Sequence, residues 1–447
     1  MRWNVGVIFL VLLFAFGPKK MVGQVVRLDS LSCFQPELFQ NIDSAYGKKY
    51  PLVHFEKNYF QFYSEDSPTW DKFFEKFEKM VLQKDRKLNM YHIGGSHLQA
   101  DIYTHDVRED FQTNWRQLPG ERGWVFPFKL ARTNNPSNYK FSSSNAWNGY
   151  RSVVSRHRKG NEFGTLGAKV ETYDSLINLK FVYNKTEVKP SFSKIRVFHN
   201  KGYLPFDFNW GAAETLRGLT HTDTIIGYTE FNFVEALDSF DLQIARNVIN
   251  SYPFEIYGFQ LLNNLPGVSY TAIGVNGAGL YNYLDCKRFE EQLKTYPPDF
   301  FAFSVGTNDG NVPYNMFDPK VYKANLDSMM QIVMRANPDC AILLTVPNDS
   351  YYRRRYLNRN IARERDVIIE LAAEYKVPVW DLYGIMGELG SSKQWNRVGL
   401  MKRDLVHFTG TGYHLKGEIY FDAFEKFLHQ FSERKLQRLN TGVDGEF

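Results

Sequence analysis

Cysteine is nearly absent: Cys33, Cys286 and Cys340 are the only three in 447 residues. None stands in Cys-x-x-Cys spacing, which argues against a structural zinc site and against a disulfide framework. One bridge could form in an oxidising compartment, and the sequence does not pair it. Excess charge is lacking too. Lys and Arg number 54 against 49 Asp and Glu, a net +5, with no long basic stripe, so nucleic acid is not an expected partner. The run Arg353-Arg354-Arg355 is local and reads as a solvated loop or helix start, with contact to an acidic polymer as the alternative. Beyond the N-terminus no apolar run is long enough to span a membrane. There is no internal repeat and no low-complexity tract. At 43% hydrophobic and 23% charged, the chain is not a disordered one.

What is present begins at the N-terminus. Arg2 precedes an apolar run from Val5 to Phe16, closed by Gly17-Pro18. A positive start and a short apolar stretch predict a secretory signal peptide over residues 1–24. Cys33 is too far from the apolar run to be a lipidation site. The protein is therefore expected to be exported, to the periplasm or the cell surface, with no membrane span after signal removal.

The length suits two domains. Residues 25–85 read as a lead-in ending in a helix, with Phe73, Phe74, Phe77, Met80 and Val81 near helical spacing over Asp71–Leu82. Leu88–Ile93 reads as a buried strand, stopped by Gly94-Gly95, and Leu98–Phe111 as a helix. From 134 to 262 the texture changes to short alternating runs such as Ile177-Asn178-Leu179-Lys180-Phe181, with turn residues between them. That predicts an all-β sandwich. Aromatics reach 16%, which suits such packing. The α/β rhythm then resumes. Strands are expected at Phe300–Val305, Ala341–Val346 and Val379-Trp380. Helices are expected from Asp318-Pro319 to Ala336, over Ile361–Tyr375, and from Gly410 to Phe431. Alternating strand and helix imply a parallel sheet covered on both faces. The expected order is the first part of an α/β domain at 86–133, the inserted β unit at 134–262, the remainder of the α/β domain at 263–432 and a tail at 433–447.

Four segments fall where the strands of such a sheet should end, which is where open α/β folds place their sites. In Gly94-Gly95-Ser96-His97 a serine in a strand-to-helix turn can present its hydroxyl at the sheet edge. In Gly274-Val275-Asn276-Gly277-Ala278-Gly279 a free glycine N–H can donate to an oxyanion, though the run by itself reads first as a plain glycine-rich turn at the return from the β unit. In Gly306-Thr307-Asn308-Asp309 the asparagine amide can supply another donor, or form a plain Asx-turn. In Asp404-Leu405-Val406-His407 the three-residue offset lets a carboxylate fold back on the imidazole and fix its tautomer.

Their order, Ser, Gly, Asn, then Asp and His, resembles the SGNH (GDSL-like) hydrolase family, over Leu88–Arg132 and Tyr270–Phe431. Trp380-Asp381-Leu382-Tyr383 and Gly410-Thr411-Gly412-Tyr413 are similar to that family as well. The resemblance implies a flavodoxin-like parallel sheet and a triad of Ser96 as nucleophile, His407 as base and Asp404 as its orienting acid. It implies an oxyanion hole built from the Ser96 and Gly277 N–H groups with the Asn308 side chain, and neither metal nor organic cofactor. The β unit resembles the carbohydrate-binding-type sandwich carried by bacterial peptidoglycan O-acetylesterases of the family. Trp147, Tyr150, Trp210 and Tyr257 could stack on sugars there, with core packing as the plainer reading. One position departs: the family usually has Asp before the serine, and this chain has Gly95, which offers no side chain to hold the turn and should loosen it.

The expectation is an exported serine esterase that removes O-acyl groups, chiefly O-acetyl, from peptidoglycan or another extracellular polysaccharide. Its rivals are a lipase or thioesterase-type acyl hydrolase, and a catalytically inactive envelope protein that binds glycan.

Overall fold

The computed structural model describes residue 34 and residues 42–113, 118–203, 205–247 and 252–441. The expected signal peptide at 1–24, Cys33 and residues 442–447 lie outside them. Among the described residues no helix is long and apolar enough to cross a membrane, and Cys286 and Cys340 are buried and unpaired. Burial pushes the Cys286 thiol up to about 12.

Five parallel strands form one sheet. Across it they run Gly267–Gly274, Lys87–Gly94, Phe300–Ser304, Ala341–Val346 and Val379–Asp381. By position in the chain that is the order 2-1-3-4-5 of flavodoxin-like sheets, whose crevice opens between strands 1 and 3. The strands are buried almost throughout because both faces are covered. Side chains alternate between the faces with period two. Met90, Phe300, Ala341 and Leu343 meet Trp70, Phe73 and Phe77 of helix Pro68–Gln83, with Phe424 and Phe427 of helix Gly410–Thr441. Tyr91, Phe301, Ile342 and Leu344 face the other way, toward Met329 and Val333 of helix Pro319–Ala336 and Leu371 of helix Asn360–Tyr375. Trp70 is fully buried and its indole N–H donates to the Ile342 carbonyl at 3.0 Å. Truncating such a residue costs about 3–5 kcal/mol.

Helix Pro319–Ala336 starts as its sequence dictates, with the Asp318 carboxylate accepting from the Lys320 N–H. The last helix runs ten residues past the expected end at Phe431, to Thr441. Its apolar periodicity stops there, but Lys435 reaches Glu78 and Arg438 reaches Asp71 on helix Pro68–Gln83.

The helix expected over Leu98–Phe111 is two helices, Ser96–Gln99 and Tyr103–Thr113. They part at Asp101, whose φ is 45°. The buried Asp101 carboxylate holds Arg108 and Arg122 at 2.9 Å each and accepts from the Asn138 amide at 2.9 Å. Burial acts to raise this carboxyl, but the two guanidiniums outweigh it and hold it well below the usual carboxylate range.

Residues 123–262 contribute two antiparallel sheets. One runs Asn148–Arg151, Ala168–Thr172, Phe254–Leu262, Phe192–His199, Tyr228–Leu237 and Arg217–Asp223, with Gly123–Val125 also paired to Phe254–Leu262. The other runs Tyr139–Ser142, Leu176–Tyr183, Ser239–Arg246 and Phe206–Asn209. Aromatic side chains join them: Phe141 stacks on Phe259 at 5.2 Å, and Trp210 meets Phe231 edge-on at 4.9 Å. Trp210 is thereby buried, and so is Tyr257, whose ring lies under the Arg288 guanidinium; they are 1% and 3% exposed, and neither can stack on a sugar. Trp147 is buried as well. The Tyr150 hydroxyl donates to Glu171 at 2.9 Å.

Candidate active site

Ser96 opens the short helix that follows strand Lys87–Gly94. Its Oγ lies 2.8 Å from His407 Nε2. His407 Nδ1 lies 2.8 Å from Asp404 Oδ2. The other Asp404 oxygen accepts the His407 N–H at 2.9 Å and the Val406 N–H at 3.0 Å. Burial acts to raise the Asp404 carboxyl, but these N–H groups and the imidazole outweigh it and hold it below its ordinary value. An anion at Nδ1 keeps the proton of a neutral imidazole on that nitrogen. Nε2 is then the acceptor for the Ser96 hydroxyl.

The loop that carries this pair is strained and clamped. Leu405, between the two residues, has φ 56°, a conformation that costs an L-residue about 1–2 kcal/mol. Its carbonyl accepts the Tyr351 N–H at 3.1 Å, and the Val406 carbonyl accepts the Asn348 amide at 3.2 Å. His97 adds a neighbour, its ring centroid 5.3 Å from that of His407. Tyr413 OH pairs with His97 Nδ1 at 2.9 Å. Burial, helped by the Lys416 charge, drives the His97 pKa well below its ordinary value. A neutral ring therefore lies against His407.

The two other predicted segments border the same cavity as the serine. Gly277 sits in the loop after strand Gly267–Gly274, with φ 86°, and open space surrounds the position a Cβ would take. Among the described residues nothing accepts a hydrogen bond from its N–H. Asn308 follows strand Phe300–Ser304, and its Nδ2 donates to the Ala278 carbonyl at 2.9 Å. That bond ties the two loops together and leaves the second amide hydrogen to donate elsewhere. Ser96, Gly277, Asn308 and His407 line one cavity of about 690 Å³. The structure thus brings all five predicted residues to one place, with Asp404 behind His407.

At Gly95 the space that a side chain would need is already filled. The glycine's φ is −98°, outside the left-handed region. A Cβ there would stand 2.6 Å from Asn308 Nδ2 and 3.3 Å from the Ala278 carbonyl. The missing side chain is the space that the Asn308 amide occupies.

Several supporting residues escaped the sequence reading. Gln99 Oε1 accepts the Asn276 N–H at 2.6 Å and its Nε2 donates to the Asn134 carbonyl at 2.6 Å, fastening the glycine loop to the serine helix. Its place three residues after Ser96, one helical turn on, is the only signal it carries. Asp309 accepts the Leu280 N–H at 2.9 Å, and burial pushes its carboxyl up to about 6. No sequence pattern marks Asn348 or His97. Among the described residues no cluster of three or more His, Cys, Asp or Glu side chains is arranged to hold a metal.

Residues 251–415 match the GDSL-like Lipase/Acylhydrolase family. The chain carries a GDSL-like acylhydrolase domain. It is a domain of carboxylic ester hydrolases, and Asn308, Asp404 and His407 fall within it, whereas Ser96 precedes the matched segment. No curated protein matches the chain. Among solved structures, a peptidoglycan O-acetylesterase shares the fold at TM-score 0.66 and 19% identity, over 81% of this chain and 97% of that one. A lipase/acylhydrolase from Enterococcus faecalis matches 36% of this chain and 77% of its own at 21% identity and TM-score 0.29. An acetylxylan esterase from Geobacillus stearothermophilus matches 36% of this chain and 73% of its own at 19% identity and TM-score 0.28. The fold shared with the O-acetylesterase reaches well beyond the acylhydrolase domain.

Proposed function

We propose that this protein is an exported serine esterase that removes O-acetyl groups from an extracellular polysaccharide, peptidoglycan among the candidates. The observation that carries the reading is the unbroken chain from Ser96 Oγ to His407 Nε2 and from His407 Nδ1 to Asp404, 2.8 Å at each link. In this mechanism His407 takes the serine proton as Ser96 Oγ attacks the ester carbonyl. The Ser96 and Gly277 N–H groups and the Asn308 amide receive the oxyanion. Collapse releases the sugar hydroxyl, protonated by His407, and leaves an acetyl-enzyme. Water, deprotonated by the same imidazole, then releases acetate. Asp404 orients the ring and stabilises its charged form.

The lining of the cavity favours a short acyl group on a polar carrier. Most of the described residues that line it end in an amide, a hydroxyl or a cation, and Ala100, Ile102 and Val406 are the aliphatic side chains among them. A lipase or long-chain thioesterase needs an apolar tunnel for its acyl chain. The likeness in fold to a peptidoglycan O-acetylesterase supports an acetylated glycan as substrate. It also supports reading residues 134–262 as a β domain inserted between two halves of the hydrolase domain, 86–133 and 263–432. The apolar run behind Arg2 supports export.

Acetate release from a panel of acetylated polymers tests the function. The protein should release acetate from at least one acetylated glycan faster than the Ser96→Ala variant does. Preferential hydrolysis of long-chain acyl esters would favour the lipase reading instead.

A further inference from the structure

The triad leaves the Arg353-Arg354-Arg355 run without a role. In the structure these residues form the tip of a hairpin between strands Tyr351–Tyr352 and Tyr356–Leu357. The Arg355 N–H closes the turn on the Tyr352 carbonyl at 3.1 Å. Both central residues have positive φ, 50° at Arg353 and 60° at Arg354. Such positions suit Asn and Gly, and two arginines are a strained choice for them. Turn geometry therefore does not account for the residues found there.

Their position does. The hairpin is pinned to the triad loop, because Tyr351 donates its N–H to the carbonyl of Leu405, between Asp404 and His407. Arg353 and Arg354 line the same cavity as Ser96 and His407. So does Lys402, whose N–H donates to the His407 carbonyl at 2.8 Å. All three side chains are exposed. Arg353 lies over the Tyr352 ring at 5.2 Å. Among the described residues none of the three forms an ion pair, and no Asp or Glu lines the cavity. Three uncompensated cations thus face one cleft in a chain whose net charge is only +5. A cleft lined by one sign of charge focuses its potential on a ligand of the other sign, and the planar guanidinium fork matches a carboxylate.

From this arrangement we propose that the acetylated glycan is an anionic one, with Arg353 and Arg354, aided by Lys402, binding carboxylates carried near the acetylated sugar. The inference rests on the esterase reading and names the substrate class of that same site. Two sources carry the required carboxylate: uronate rings in the glycan backbone, and the lactyl or peptide carboxylates of peptidoglycan.

The test compares kcat/KM for acetate release from an O-acetylated polyuronate, from O-acetylated peptidoglycan and from a neutral acetylated xylan, at low and high salt. The wild type should prefer one of the charged polymers at least about tenfold at low salt, and the preference should shrink as salt rises. The favoured polymer identifies the source of the carboxylate. The decisive variant is Arg353→Asn with Arg354→Gly, because Asn-Gly fits the two positive-φ positions and the hairpin should hold. Its charged-to-neutral ratio should fall roughly tenfold while its Tm stays level or rises. Equal use of neutral and charged polymers by the wild type, or an undiminished ratio in the double variant, would overturn the proposal. Binding separates this from failure of the esterase reading. If no ester is cleaved at all, the esterase reading falls. Retention of the deacetylated charged polymers by Ser96→Ala protein in affinity electrophoresis, lost when the double substitution is added, would still uphold the anionic site. Absence of such retention would sink it.

Discussion

Gly95 and Asn308 share one space: a Cβ on residue 95 would stand 2.6 Å from Asn308 Nδ2. A side chain on residue 95, just before Ser96, would therefore require the asparagine amide to shift from where it sits, bonded to Ala278 beside Gly277.

Restoring a side chain at position 95 should cost activity. Gly95→Asp and Gly95→Ala should each lower kcat about ten- to a hundredfold on a short activated ester, with KM little changed, because the displaced donor matters most when the oxyanion forms. Asn308→Ala alone should cost roughly a hundredfold or more. In the Asn308→Ala background Gly95→Ala should add little, and a double-mutant cycle reads that coupling directly. A rise in kcat for Gly95→Asp would mean that the turn wants the carboxylate more than the space.

The buried Asp101 cluster should set stability below neutral pH. Asp101→Asn leaves Arg108 and Arg122 without their anion and should cost about 3–5 kcal/mol near pH 7. The folded-state pKa of Asp101 lies below its unfolded value. Its contribution is thus present above the ordinary carboxylate pKa and lost as pH falls through the folded value. Thermal melts from pH 7 down to pH 2 should show a constant gap between wild type and variant above the ordinary carboxylate range and a narrowing one below it. A gap independent of pH would mean that the cluster does not act through charge.

Asp309 should behave in the opposite sense. Its pKa is raised by burial to about 6, so the folded state prefers the protonated form. That preference stabilises the fold below the unfolded pKa and is lost as pH rises through about 6. Asp309→Asn keeps an acceptor for the Leu280 N–H and removes the ionisation. The variant should gain Tm relative to wild type as pH is raised from 4 to 8, and a constant difference would remove the buried-carboxyl account.

Much of this fold was legible because its strands are buried on both faces. Ala341–Val346 is an unbroken apolar run, and Ser96, Asn308 and the glycine loop each follow such a strand. The break at Asp101 was not legible. Helical periodicity continues across it, and the reason for the break is two arginines, one of them 21 residues away. The fates of Trp210 and Tyr257 were hidden for a similar reason, since an aromatic on an alternating strand can face either side until the partner sheet is known. At Gly95 the sequence pointed to a missing carboxylate, but the deciding contact is with a residue 213 positions along the chain, which no local pattern encodes.

The most direct test of the account is the initial rate of acetate release by wild type against Ser96→Ala, on a short activated ester, with both proteins shown to be folded by circular dichroism. Ser96 in the nucleophile role predicts a loss of at least about a thousandfold. Equal rates in the two proteins would contradict it, and with it the triad built on Ser96, His407 and Asp404.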